Sequence, residues 1–212
     1  VSIGGLFLAG VIPGILIAGS QMLAVYVFAK IYDYPMYSRS TLKEFFLAIF
    51  HAVPPLMTPL IIVGGIVGGF FTPTEASVIA VLYSVVLGGL FYRTIGFQNL
   101  PSILYNSAKF AAISLFCIGT ASAFGWILAY FKIPLAVVEV LAPYGVGPVS
   151  TGLIVAGSFL LIGMFIDAIP AIIILGTVLW PLAEVSHMHP IHFAIIGVIS
   201  LAFGLVTPPY GL

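Results

Sequence analysis

The chain has 212 residues, of which 62% are hydrophobic and 6% are charged; its mean hydropathy of +1.27 excludes a water-soluble globule, because too little polar surface remains to face water. Six Lys and Arg residues balance six Asp and Glu residues, which excludes a nucleic-acid partner that requires a basic patch. Cys117 is the single cysteine, which excludes a disulfide framework and a thiolate metal cluster.

Long apolar runs predict helices that cross a lipid bilayer. Lipid offers no hydrogen-bond partner to the backbone, so unbroken apolar runs favour spanning helices over barrel strands. Residues 3–29 form the first run, and the basic residues among 30–44 predict an aqueous loop on the cytoplasmic side. We assign residues 1–44 to a linking transmembrane helix and this loop. Because the sequence starts with Val1 and no basic segment precedes the first run, we expect a fragment or a processed chain.

The middle of the chain predicts further membrane helices. Residues 45–71 predict an apolar helix that is interrupted at three prolines, Pro54, Pro55 and Pro59. Residues 78–92 then run back across the membrane. After a polar connection at 98–109, residues 110–130 are long enough to cross again. We assign residues 45–132 to scaffold-type transmembrane helices.

A turn motif precedes the 78–92 run. Thr72 can cap a helix that begins at Pro73, with Thr74 and Glu75 in its first turn. The alternative is that Glu75 is a direct ligand in a site. The pattern favours a structural motif.

The last third predicts a different kind of element. Residues 135–141 are too short to span, and residues 152–165 and 168–179 are two short apolar runs that meet at Asp167. A crossing needs about 20 residues, so this pair predicts a re-entrant hairpin. Residues 191–206 predict a helix halted at Thr207, Pro208 and Pro209, which makes it a discontinuous transmembrane helix. We assign residues 133–212 to this hairpin and broken helix, a combination typical of transporter binding sites.

Asp167 is the main candidate for chemistry. A carboxylate at the bilayer centre costs about 2.5 to 3.5 kcal/mol, so a compensating partner is expected. Carbonyls around Gly163 and the break after residue 206 could complete an oxygen cage for a sodium ion. The alternative is that Asp167 caps the second hairpin helix through the amide of Ile169 and its neighbours. Both roles can hold together.

The sequence gives little support for a metal site or an enzyme active site. Three histidines, His187, His189 and His192, surround Pro190, which breaks any helix between them and favours an interfacial loop over a metal site. The sequence holds no G-x-S-x-G, H-E-x-x-H or Walker motif. We therefore predict a protein that is not an enzyme and that needs no cofactor beyond sodium as a coupling ion.

Three stretches carry a family resemblance. They are residues 64–76 (GGIVGGFFTPTEA), 163–181 (GMFIDAIPAIIILGTVLWP) and 190–211 (PIHFAIIGVISLAFGLVTPPYG). In this order and spacing they resemble the large membrane subunit of tripartite ATP-independent periplasmic (TRAP) transporters. The resemblance implies an elevator-type transporter with two inverted repeats, of which this chain is similar to the second.

The resemblance also implies a function. It implies sodium-coupled uptake of an organic acid across the bacterial inner membrane, with a small membrane subunit and a periplasmic substrate-binding protein as partners. C4-dicarboxylates, sialic acid and other sugar acids stay open as substrates. A channel-like or purely structural membrane subunit is the alternative. The residues implied in cation binding are Asp167, Gly163, Thr207, Pro208 and Pro209, and those assigned to the substrate are Gly204 and Pro170.

Overall fold

The computed structural model describes residues 2–34, 40–144, 147–209 and 211, and the regular elements in this part are all helices. The prediction of an all-α protein is therefore confirmed. The third helix continues as a short π-helix and the fifth as a 3₁₀ turn. The bounds are α1 Ile3–Ile31, α2 Leu42–Val67, α3 Pro73–Val86 with its π-helix Leu87–Phe91, α4 Leu100–Tyr130, α5 Ile133–Leu141 with its turn Ala142–Tyr144, α6 Pro148–Gly163, α7 Ala168–Val185 and α8 Pro190–Val206.

Five of these helical segments are long and apolar enough to cross a membrane: α1, α2, α3 with its π-helix, α4 and α7. None of the 29 residues of α1 is buried. A helix that is apolar on all sides needs lipid or protein around it. The prediction of a multi-pass membrane protein is confirmed.

The charged segment between the first two helices is shorter than predicted. α1 extends through Lys30, and α2 begins at Leu42. The Thr41 hydroxyl accepts a hydrogen bond from the Glu44 amide, and Glu44 Oε2 accepts one from the Thr41 amide at 2.8 Å. This capping box starts α2 inside the predicted loop. Arg39 lies outside the described residues.

The predicted interruption of α2 is wrong. The helix runs without a break through its three internal prolines, Pro54, Pro55 and Pro59. Pro55 lacks an N–H, so the His51 carbonyl loses its donor within the helix. Tyr92 Oη lies 3.5 Å from this carbonyl oxygen, and Tyr83 Oη donates to the Pro54 carbonyl at 2.8 Å. The Tyr92 hydroxyl thus lies near the carbonyl that Pro55 leaves without a helical donor, and the Tyr83 hydroxyl adds a bond to a neighbouring carbonyl of α2.

α4 begins ten residues earlier than predicted. This helix begins at Leu100, so Lys109 lies within it and not in a polar connection. Lysine is a good helix former whose long stem can carry the charge away from an apolar surface, so one Lys does not end a helix. The chain divides into two compact units, residues 2–101 and residues 102–212. The predicted functional division at residues 44 and 132 stays a prediction.

Helices α6, α7 and α8 form the core of the second unit. Gly152 near the start of α6 faces Met188 and Ile196, whereas Gly163 at its end faces Leu201 and Gly204, so α6 and α8 run parallel. α7 connects them and runs the opposite way. The nine-residue α5 packs on α7, and it is too short to span, as predicted. One cluster of buried side chains in this core comprises Val155, Phe159, Ala171, Leu179, Ala183, Met188, Phe193 and Leu201.

The second arm of the predicted hairpin is longer than expected. α6 has 16 residues, but α7 continues past residue 179 and through Pro181 to a length of 18 residues. Buried Leu182 and Ala183 hold this last part of α7 in the core, because packing outweighs the single hydrogen bond that a proline removes. Of the two hairpin arms, only α6 is therefore shorter than the membrane-length helices, and the re-entrant geometry stays a prediction.

Candidate functional site

The predicted site residues meet at one end of the second unit, where α6 ends, α7 begins and α8 ends. We call residues 163–170 and 204–209 the tip region. Gly163 is the last residue of α6, and Asp167 follows it by four residues. Gly204 lies in the last turn of α8, and Thr207 follows that helix directly. Because α6 and α8 are parallel, their two carbonyl ends lie on the same side of the unit as the amide end of α7.

Gly163 and Gly204 bring the two helices into backbone contact. Both residues are buried. A Cβ atom added to Gly204 would lie 2.5 Å from the Leu160 carbonyl oxygen and 2.9 Å from Gly163 Cα. Any side chain at residue 204 would therefore force α6 and α8 apart. This close packing is the structural role of both glycines, and their assignment to cation and substrate binding stays a prediction.

Asp167 is the N-cap of α7. Its backbone is extended, with φ −62° and ψ 159°, and its Oδ1 accepts a hydrogen bond from the Ala168 amide at 2.8 Å. The predicted capping role is therefore confirmed, with Ala168 as the donor. The side chain is exposed, and its remaining acceptor positions stay available to a cation.

The end of α8 combines extended backbone with missing donors. Thr207 has φ −91° and ψ 138°, its amide donates to the Gly204 carbonyl at 3.0 Å, and its hydroxyl donates to the Phe203 carbonyl at 2.7 Å. Pro209 lacks an N–H, so the Leu205 carbonyl has no donor from the next turn. Such carbonyls are suitable cation ligands.

The first turn of α7 leaves few amides for an anion. Ala168 donates to Asp167 Oδ1, Ala171 donates to the Asp167 carbonyl at 3.2 Å, and Pro170 has no N–H. Ile169 is left as the amide of this turn for which the described residues supply no partner. The predicted capping bond from Ile169 to Asp167 is therefore wrong, and the Ala168 amide makes that bond instead. The position of Pro170 two residues after Ala168 is the signal that could have identified Ile169 as the remaining donor.

The tip region contains helix ends of both signs of partial charge. The carbonyl ends of α6 and α8 each carry about half a negative charge, and the amide end of α7 carries about half a positive charge. A cation is attracted by the two carbonyl ends and by the Asp167 carboxylate. In the part of the chain that the structure describes, no three His, Cys, Asp or Glu side chains come together as a metal-binding group. Backbone carbonyls would therefore supply most ligands of an ion bound here.

The structural motif after α2 matches its prediction. Thr72 caps α3, Pro73 occupies its first turn, and the Glu75 carboxylate accepts hydrogen bonds at 2.8 Å from both the amide and the hydroxyl of Thr72. Beside this capping box, Thr74 and Glu75 line an open, mostly apolar cleft of about 360 Å³. Glu75 thus has a structural role in the first unit, away from the tip residues in the chain.

Comparison with known proteins identifies the family. Residues 1–212 match the family described as tripartite ATP-independent periplasmic transporter, DctM component. The chain belongs to the DctM component family. DctM components are permeases and not enzymes, and the predicted resemblance is confirmed.

Curated relatives support this assignment. The C4-dicarboxylate TRAP transporter large permease protein of Pseudomonas aeruginosa is 34% identical over 211 residues, which cover 100% of this chain and 49% of the relative. The sialic acid TRAP transporter large permease protein of Vibrio cholerae is 33% identical, with the same two coverages. The 2,3-diketo-L-gulonate TRAP transporter large permease protein of Escherichia coli is 31% identical over 99% of this chain and 49% of the relative. The DctM-like chain thus spans about half the length of these relatives.

Proposed function

We propose that this chain is part of the membrane permease of a sodium-coupled secondary transporter that imports an organic acid. The substrates in the relatives' names, a C4-dicarboxylate, sialic acid and 2,3-diketo-L-gulonate, support an acid as the cargo. The words tripartite and periplasmic in the family description support two partners, a small membrane subunit and a periplasmic substrate-binding protein. A permease with these two partners would lie in the bacterial inner membrane, facing the periplasm on one side.

The observation that carries the proposal is that the carbonyl ends of α6 and α8 pack together on the same side of the second unit as the amide end of α7, which Asp167 caps. One acidic group and two negative helix ends favour a monovalent cation that sheds part of its water. In the proposed site, Asp167 and carbonyls near Gly163 and at residues 205–209 bind sodium. The Thr207 carbonyl, which already accepts from the Gly211 amide at 3.1 Å, adds its second lone pair, and the Thr207 hydroxyl adds its free lone pairs.

Sodium binds before the substrate in this mechanism. The bound cation offsets the negative charge of the tip region, so that a substrate carboxylate can approach the amide of Ile169 near Pro170 and Gly204. Movement of the hairpin and the broken helix in an elevator-type step then exposes the site to the other side. Each sodium ion that enters down 100 mV contributes about 2.3 kcal/mol, which supports roughly 50-fold accumulation. Two or more ions would outweigh the repulsion of an anionic substrate by the membrane potential.

The test is uptake by the complete transporter in proteoliposomes, with a labelled C4-dicarboxylate and labelled sialic acid offered on their binding proteins. We expect saturable uptake of an acid that requires both the binding protein and an inward sodium gradient. An equal potassium gradient serves as the matched control, because it sets the same ionic strength without the coupling ion.

The same experiment separates the transporter from a channel-like or purely structural subunit. A channel conducts the acid down its gradient without a binding protein and without saturation. Such flux, or uptake that is identical in sodium and potassium, would contradict the proposed function.

A further inference from the structure

The contact between α6 and α8 is closest at the tip region. The added Cβ at Gly204 would meet the Leu160 carbonyl oxygen at 2.5 Å, and the added Cβ at Gly163 would meet the Leu201 carbonyl oxygen at 3.0 Å. Both obstacles are backbone atoms, which cannot turn away as a side chain can. The two helix ends can therefore lie this close only because Gly163 and Gly204 have no side chains.

The other glycines of the two helices do not have this constraint. An added Cβ at Gly157 in α6 would meet nothing within 4 Å. In α8, an added Cβ at Gly197 would lie 3.1 Å from the Phe159 ring, and in α6 one at Gly152 would touch only the ends of the Ile196 and Met188 side chains. The backbone-limited contact thus occurs at the end of the interface from which the carbonyl ligands of the proposed sodium site project.

The geometry of these ends decides how well a cation is held. Carbonyls of two helices and the Asp167 carboxylate can share one ion only if the helix ends lie close together. A shift of about 1 Å in a group that orients ligands is enough to lower affinity strongly, and loss of such supporting contacts typically costs about 10- to 100-fold in metal affinity.

We infer that Gly163 and Gly204 are positioning residues that set the sodium affinity of the tip region by holding the carbonyl ends of α6 and α8 together. They act by keeping the two helix ends close together, because neither glycine has a side chain that could bind the ion. The inference rests on the proposed function, because it concerns the same sodium site.

The test is the sodium concentration that gives half-maximal uptake by the complete transporter in proteoliposomes. Gly204→Ala is expected to raise the sodium concentration for half-maximal uptake about tenfold or more, whatever its effect on the maximal rate. Gly163→Ala meets a flexible Leu201 side chain and a more distant backbone, so its shift is smaller and of the same sign. A residue with a merely structural role would lower the maximal rate and leave the half-saturating concentration unchanged.

Two matched controls make the result specific. Gly157→Ala adds the same methyl group to α6 without a contact, and Gly197→Ala disturbs the same helix pair two turns away from the tip region. Both are expected to keep the half-saturating sodium concentration unchanged. If Gly204→Ala does not fold, Gly163→Ala with these controls carries the test.

Three outcomes of this experiment distinguish a failure of the proposed function from a failure of the positioning role. Sodium-independent uptake by the unmodified transporter contradicts the proposed function itself. Sodium-dependent uptake that neither Gly204→Ala nor Gly163→Ala shifts overturns only the positioning role. An equal shift in Gly197→Ala also overturns it, because the effect would then arise from general packing of α6 on α8.

Discussion

The carboxylate of Asp167 combines a hydrogen-bond acceptor with a negative charge, and the two can be separated by substitution. Oδ1 accepts from the Ala168 amide at 2.8 Å and so satisfies one free donor of α7. Asp167→Asn keeps an acceptor oxygen in the same place, because Asn caps helices as well as Asp does. Asp167→Ala removes the acceptor and the charge together.

The expected magnitudes follow from this geometry. Loss of an N-cap acceptor lowers the free energy of unfolding by about 1 kcal/mol, within a range of about 0.5 to 2 kcal/mol. Loss of the charge at the amide end of α7 costs about 0.3 to 1 kcal/mol at low ionic strength. Because Asp167 is exposed, salt screens this second contribution. In concentrated choline chloride without sodium, we therefore expect Asp167→Asn to match the unmodified protein and Asp167→Ala to be less stable by about 1 kcal/mol.

The assay is reversible unfolding of the purified permease in mixed detergent micelles, in sodium-free buffer at low and at high choline chloride. The difference between Asp167→Asn and the unmodified protein should shrink as salt rises, whereas the difference between Asp167→Ala and Asp167→Asn should persist. Equal destabilisation by the two substitutions at high salt would refute the reasoning, because the acceptor oxygen would then contribute nothing to α7.

Two further predictions concern the first unit. Thr72→Ala removes the two hydrogen bonds that the Thr72 hydroxyl makes with Glu75 and is expected to lower the free energy of unfolding by about 1 kcal/mol. Thr74→Ala in the same turn serves as the control and should change the free energy of unfolding by less than about 0.5 kcal/mol. An equal loss in both variants would argue against the cap. Tyr83→Phe removes a 2.8 Å bond to α2 and should cost about 0.6 kcal/mol in detergent, whereas Tyr92→Phe, with its 3.5 Å contact, should cost less; the reverse order, measured by the same unfolding, would contradict the assigned geometry.

Local signals were enough to predict much of this fold. Lipid compatibility and apolar length identify the spanning helices, and neither depends on contacts between distant residues. The Thr72 capping box was also predictable, because all its atoms lie within one turn. The halt after Val206 follows in the same way from Pro208 and Pro209.

Features that depend on tertiary contacts were not predictable in this way. The contacts of the Tyr83 and Tyr92 hydroxyls with carbonyls near the prolines of α2 join residues that lie 29 and 41 positions apart in the chain. The extra length of α7 depends on burial of Leu182 by neighbouring helices. The order of glycines in the sequence also does not tell which of them contact backbone atoms, so the contact of Gly163 with Gly204 is visible only in the folded structure.

Direct binding of radioactive sodium to the purified transporter tests the central claim, that the tip region holds the coupling ion through Asp167. The comparison is between the unmodified protein and Asp167→Asn, with Gly157→Ala as a control that leaves the tip region intact. We predict saturable sodium binding that Asp167→Asn weakens at least about tenfold and Gly157→Ala preserves. Sodium binding to Asp167→Asn with unchanged affinity and unchanged capacity would contradict it.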